Sequence, residues 1–161
     1  MIDYAKLQKA MLAAALKGKK AYLLGKSIKY PSAVFITFGG EDGTAIGFYV
    51  IPDSVFLLDA AAYMKAIDQM DFLKMDTLIK DEDIAQAAYS TGIKECFALV
   101  LTSEDHNTTV LIRDGKATEY IKAKANISYA VTDANHPVFF TADFPGSEFP
   151  FDGAILPVRM K

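Results

Sequence analysis

Catalysis in this chain would have to start from very few side chains. The 161 residues hold two histidines, His106 and His136, and one cysteine, Cys96. Asp105 and Asn107 flank His106, and Asn135 precedes His136. A nucleophilic triad needs nucleophile, base and orienter in mutual reach. A polar residue beside a histidine is equally what a turn looks like. Both histidines fall in segments that read as turns, so turn-stabilising or surface roles are expected and no catalytic residue is assigned. Cys96 lies in the apolar run Cys96-Phe97-Ala98-Leu99-Val100-Leu101, which reads as a buried strand with an inert thiol. One cysteine cannot form an intramolecular disulfide, which fits a reducing, cytoplasmic compartment.

Metal and cofactor signals are equally thin. Asp81-Glu82-Asp83 reads as a helix cap, because three adjacent carboxylates do not converge on one ion. Asp68, Asp71 and Asp76 would meet a cation only across a sharp chain reversal. Gly39-Gly40-Glu41-Asp42-Gly43 lacks the Gly-Lys-Ser/Thr ending of a phosphate loop and the spacing of a dinucleotide fold, and its acids repel phosphate. It reads as a hairpin turn. Neither a metal nor a cofactor is expected.

Charge is the feature that asks for a partner. Residues 1–30 carry seven lysines against one acid, Asp3, whereas the remainder carries ten basic against nineteen acidic residues. An electropositive patch on an acidic body is implied. Residues 4–17 read as an amphipathic helix with Tyr4, Leu7, Met11 and Ala14 or Ala15 inward. At about 100° per residue, Lys6, Lys9, Ala13 and Lys17 fall within about 80° on the opposite face. Gly18 is a plausible C-cap, and Lys19 and Lys20 follow beside the negative end of the dipole. Lys6, Lys9, Lys17 and Lys20 are therefore the candidate contacts to phosphates. Only Arg113 and Arg159 are arginines, which argues against base-edge readout.

The elements that would position these residues follow from periodicity and breakers. Strands are predicted at 21–25, 33–38, 44–51, 77–79, 96–102, 108–113, 117–122, 126–131, 138–141 and 154–159. Residues 33–51 form a hairpin, and Asp114-Gly115 turns another. Further helices are predicted over 60–70, with Tyr63, Ala66, Ile67 and Met70 on one face, and from Asp81 or Asp83 to Gly92. The fold class is α+β, with antiparallel sheet packed by two or three helices, in a single domain over 1–161. A helix followed by hairpin strands occurs in 4–51 and again, coarsely, in 59–122. A hydrophobic fraction of 52%, with 11 Phe and 8 Tyr, supplies a packed core and excludes a disordered chain. No leader peptide is visible, and no run reaches the eighteen or so apolar residues of a membrane span, so no membrane partner is expected.

The loop 143–153 sets Phe144, Phe149 and Phe151 among prolines and glycines. These aromatics are either an exposed partner contact or a satellite core.

The run His136-Pro137-Val138-Phe139-Phe140, a turn-rich insert, and Ala154-Ile155-Leu156-Pro157-Val158-Arg159-Met160 together resemble the C-terminal end of the bacterial DNA polymerase III β sliding clamp family. The resemblance is confined to residues 136–160. Leu156 stands where that family usually has Met, and Lys161 extends the end. A clamp subunit holds three such domains where this chain could hold one. The resemblance implies a non-catalytic, oligomeric ring component with helices toward DNA. Residues 4–17 would then be a DNA-facing helix. Leu156, Pro157, Val158, Arg159 and Met160 would border a groove for hydrophobic peptides.

Three readings stay open. The first is a non-enzymatic interaction module, clamp-like and DNA-associated. The second is a small structural or regulatory protein of another kind. The third is a hydrolase-type enzyme with a pocket near His136 and the 143–153 loop. The partners considered are a second copy of the chain, non-specific weak DNA contact and a hydrophobic peptide, the last through Phe144, Phe149 and the terminal strand.

Overall fold

Strand pairing organises this chain. The computed structural model describes residues 2–17, 22–31, 33–39, 45–52, 72–80, 82, 84–95, 98–113, 119–121, 127–142 and 148–158. In chain order the elements are α1 (Tyr4–Leu16), β1 (Tyr22–Lys26), β2 (Ala33–Gly39), β3 (Ala45–Pro52), β4 (Phe72–Lys74), β5 (Gln86–Glu95), β6 (Ala98–Ser103), β7 (Thr109–Ile112), β8 (Ser128–Val131), β9 (Val138–Thr141) and β10 (Gly153–Ile155). They form one sheet in the order β4-β1-β2-β3-β10-β9-β8-β5-β6-β7. All neighbours are antiparallel except β1 and β4.

Both faces of β2 are buried, which is why it reads as a near-continuous apolar run interrupted only by Thr37. The two-residue period of a strand then sorts side chains between two cores. Val34, Ile36, Phe38, Tyr49, Ile51, Val138, Phe140 and Ile155 enter the first, with Leu99, Leu101, Val110 and Ile112 from β6 and β7. Ala33, Phe35, Phe48, Val50, Ala130, Phe139 and Ala154 enter the second.

A flat sheet could not bring β2 and β7 into one core, since they stand far apart in its order. The segment after β10 shows how the sheet curls. Leu156 N–H donates to Ile46 O at 2.8 Å, and Val158 N–H donates to Leu111 O at 2.8 Å. Two residues of chain thus carry the sheet from β3 to β7, its far end. The strands β10-β9-β8-β5-β6-β7 bend into a ring closed by residues 156–158. Close approach of β10 to β3 requires glycine: a Cβ at Gly153 would collide with Phe48 O, and one at Gly47 with Ala154 O.

α1 covers the first core with Leu7 and Met11, both wholly buried. Its start is pinned by an isolated bridge between Ile2 and Ile121 and by Asp3 N–H donating to Tyr120 O at 2.7 Å. The predicted hairpin over 33–51 is present as β2–β3, in register from Ala33↔Pro52 to Phe38↔Gly47.

The antiparallel sheet agrees with the predicted class, while α1 is the one helix among the described residues. The helix predicted up to Gly92 is instead β5. Its Ala-rich opening favours a helix locally, but pairing with β6 and β8 and burial of Ala88 override that preference. Residues 77–79 lie in turns and bends, and the strand comes earlier, at β4. Of the strand expected at 117–122, Glu119 and Tyr120 form a turn and Ile121 makes only its bridge to Ile2. The helix expected at 60–70, the Asp114-Gly115 turn and Cys96 lie outside the described residues. No helix among the described residues is long and apolar enough to cross a membrane.

Candidate functional site

The lysine face of α1 is set by how the helix is seated. Asp3 caps it, its carboxylate accepting Lys6 N–H at 3.1 Å while its carbonyl accepts Leu7 N–H at 3.1 Å. With Leu7 and Met11 held in the core, Lys6, Lys9, Ala13 and Lys17 are the exposed positions among those whose burial is described. The Lys6 ammonium lies 5.6 Å from the centre of the Tyr120 ring, the residue that also anchors the helix start. Among the described residues an ion pair joins Lys29 to Glu82, His136 Nδ1 lies against Asp133, and no acid pairs with Lys6, Lys9 or Lys17. Along the axis the span from Lys6 to Lys17 is about 16 Å at 1.5 Å per residue. Lys20 lies outside the described residues.

The C-terminal candidates divide. Leu156, Pro157 and Val158 are half-buried, and the Leu156 and Val158 N–H groups close the sheet. Arg159, Met160 and Phe144 lie outside the described residues. Phe149, considered as an exposed anchor, is wholly buried. Its ring centre lies 5.3 Å from that of Tyr30, 5.4 Å from Phe35, 6.3 Å from Phe48, 6.0 Å from Phe139 and 5.9 Å from Phe151. The satellite-core alternative describes it, and it shares no cluster with Leu156–Val158.

The histidines sit in turns whose carboxylates organise backbone. Between β6 and β7, Asp105 accepts the Ser103 hydroxyl at 2.6 Å, Asn107 N–H at 2.9 Å and the Gln86 side-chain amide at 3.1 Å. Those donors, Ser103 first, hold its pKa down to about 2. His106 follows in the left-handed region with φ of 63° and is exposed. Between β8 and β9, Asp133 accepts the N–H of Asn135 at 2.7 Å and of His136 at 3.0 Å, and its second oxygen lies 2.6 Å from His136 Nδ1. The Asn135 N–H is the main reason the Asp133 carboxyl lies below its ordinary range.

A polar cluster that the sequence did not disclose joins the β1–β2 loop to the segment after β4. Asp76 accepts the Ser27 hydroxyl at 2.7 Å and the N–H groups of Ile28 and Lys29 at 3.3 and 3.5 Å. The Ser27 hydroxyl, chiefly, holds the Asp76 carboxyl below its ordinary range. Glu82, read as a helix cap, is 5% exposed, and its Oε1 accepts Lys29 Nζ at 2.6 Å and the Tyr30 hydroxyl. Burial works to raise its pKa, but the Lys29 and Tyr30 donors together outweigh burial and leave it lowered. Lys29 is raised, first through its bond to Glu82, and Tyr30 is raised by burial and then by Glu82. Among the described residues no group of three His, Cys, Asp or Glu side chains could hold a metal ion.

Comparison with known proteins returns no matching family model, no matching curated protein and no matching solved structure.

Proposed function

We propose that this chain is a non-enzymatic interaction module that meets a polyanion, duplex DNA, through the lysine face of α1. The observation that supports this is the set of exposed ammonium groups at Lys6, Lys9 and Lys17, none paired with an acid among the described residues, on a helix whose other side is fixed in the core. A face kept only for solubility more often mixes signs. The clamp resemblance at residues 136–160 points to the same partner and casts α1 as the helix toward DNA. Contact through ammonium groups alone is sequence-independent and weak, because lysines meet phosphates as point charges and read no bases.

The test is a titration of duplex DNA at two salt concentrations. Each phosphate contact contributes about 0.9 to the slope of log K against log salt, so three lysines give a slope of about −2.7. The triple variant K6E/K9E/K17E should lose binding and keep the parent circular-dichroism spectrum. Failure of the parent protein to bind duplex DNA at low salt sinks the reading. The stripe would then be a solvated face or a contact for an acidic protein.

A further inference from the structure

We infer that residues 75–80 together with Glu82 form a latched strap over the second core, one that opens as a unit, ahead of the sheet, when Glu82 loses its charge. The strap follows β4 and inserts Met75 and Ile79, both buried, among Phe35, Phe48 and Phe149. Its own backbone bonds are local turns: Leu78 N–H and Ile79 N–H donate to Met75 O, and Glu82 N–H donates to Ile79 O. Those bonds close loops within the strap and do not attach it to anything. Attachment comes from apolar burial and from two carboxylates at its ends, both gripping residues 27–30. Asp76 takes Ser27, Ile28 and Lys29, and Glu82 takes Lys29 and Tyr30.

The two grips differ in kind. Asp76 is half-buried and holds the exposed Ile28 and Lys29 N–H groups, whose bonds water can replace at little cost, together with the buried Ser27 hydroxyl. Glu82 is enclosed, its side chain 2% exposed, while its partner Lys29 remains 56% exposed. Its second oxygen, Oε2, is buried with no hydrogen-bond partner among the described residues. The closed strap therefore retains an unsatisfied acceptor, which works against closure, and its buried end is held by the Lys29 and Tyr30 donors on one oxygen of Glu82. The titratable groups facing Glu82 among the described residues are Lys29 and Tyr30, and Lys80 on the strap is exposed. Asp81 and Asp83 adjoin Glu82 in sequence and lie outside the described residues.

Two of the exposed large apolar side chains lie on the two sides of the latch. Ile28 is 89% exposed beside Lys29, and Ile84 is 66% exposed two residues after Glu82. Opening would extend this apolar surface inward by uncovering Met75, Ile79 and the Phe149 ring beneath. The device is thus a strap whose opening adds newly uncovered apolar surface to that already exposed at Ile28 and Ile84.

Amide hydrogen exchange at Leu78, Ile79 and Glu82 in the full chain tests the idea, with amides of β2, β3 and β9 as internal reference. Glu82→Gln keeps the shape and removes the charge. It should speed exchange in the strap at least tenfold and leave the reference amides within twofold. Lys29→Met removes the partner instead and should do the same, which guards against a packing defect peculiar to position 82. In the parent protein, lowering pH through the carboxylate range should open the strap before the sheet. Parallel change of strap and sheet amides, or strap amides unmoved by both substitutions, would overturn the inference.

Discussion

Replacing Phe149 by alanine tests whether the 148–152 segment is core or contact surface. The ring is fully buried against Tyr30, Phe35, Phe48, Phe139 and Phe151, and Phe139 and Phe151 stack at 4.8 Å beside it. Removing it forfeits roughly 2–3 kcal/mol of transfer free energy. It also leaves a void on the order of 100 Å³, which at about 24 cal/mol per Å³ adds about 2 kcal/mol if the walls hold. Three of the five walls, Phe35, Phe48 and Phe139, are strand side chains of β2, β3 and β9 fixed by ladders on both sides, so limited collapse is expected. The expected loss is about 4 kcal/mol, a large share of the roughly 5–15 kcal/mol typical of a domain. Urea denaturation followed by circular dichroism measures it, since the chain has no tryptophan to report by fluorescence. Phe149→Leu should lose much less, because it fills most of the space. A loss below about 1 kcal/mol for Phe149→Ala would show the ring to be exposed in solution and would refute the second core.

Two further expectations follow from backbone and charge. Val158→Pro removes the N–H that closes the sheet onto Leu111 and should cost about 1–3 kcal/mol, read from the denaturant midpoint; a change within about 0.5 kcal/mol would mean the closure is idle. Asp105 should titrate near 2 by carboxyl NMR, so its stabilising contribution is full above the ordinary carboxylate range near 3.8 and fades as pH falls toward 2. Asp105→Asn should erase that dependence, and an unshifted midpoint in the parent would contradict the bonds from Ser103, Asn107 and Gln86.

What the sequence could disclose was local. Leu7 and Met11 four residues apart define the buried side of α1, and the exposed positions 6, 9, 13 and 17 follow from the same period. The β2–β3 hairpin was legible because two apolar runs flank a glycine-rich turn. Gln86–Glu95 was not, because its alanines state a helical preference and only the neighbouring strands make it β5. Phe149 was read from its surroundings, where proline and glycine mark a loop but say nothing about how deep one of its rings sits. The pair Phe149 and Phe151, two apart, was the available hint, since both meet Phe139. Glu82 was hidden for a different reason. Its partners Lys29 and Tyr30 precede it by 53 and 52 residues, and an acidic triplet ahead of alanines looks like a cap.

Lys29 also sharpens the case for the α1 stripe. It belongs to the same lysine-rich N-terminal stretch, yet it reaches a buried carboxylate at 2.6 Å. Acids are not scarce, since nineteen follow residue 30. A lysine serving the fold therefore finds a partner in this protein, and the stripe lysines are placed where none of the described acids pairs with them. Asp3, the one acid in residues 1–30, caps the helix by accepting Lys6 N–H. Rigid seating would suit such a stripe to the proposed polyanion contact. Helix position is fixed by Leu7 and Met11 below and by Ile2 and Tyr120 at the start, so little side-chain-bearing backbone must be ordered on contact. Like charges side by side on a fixed helix repel one another, and the proposed polyanion would relieve that repulsion.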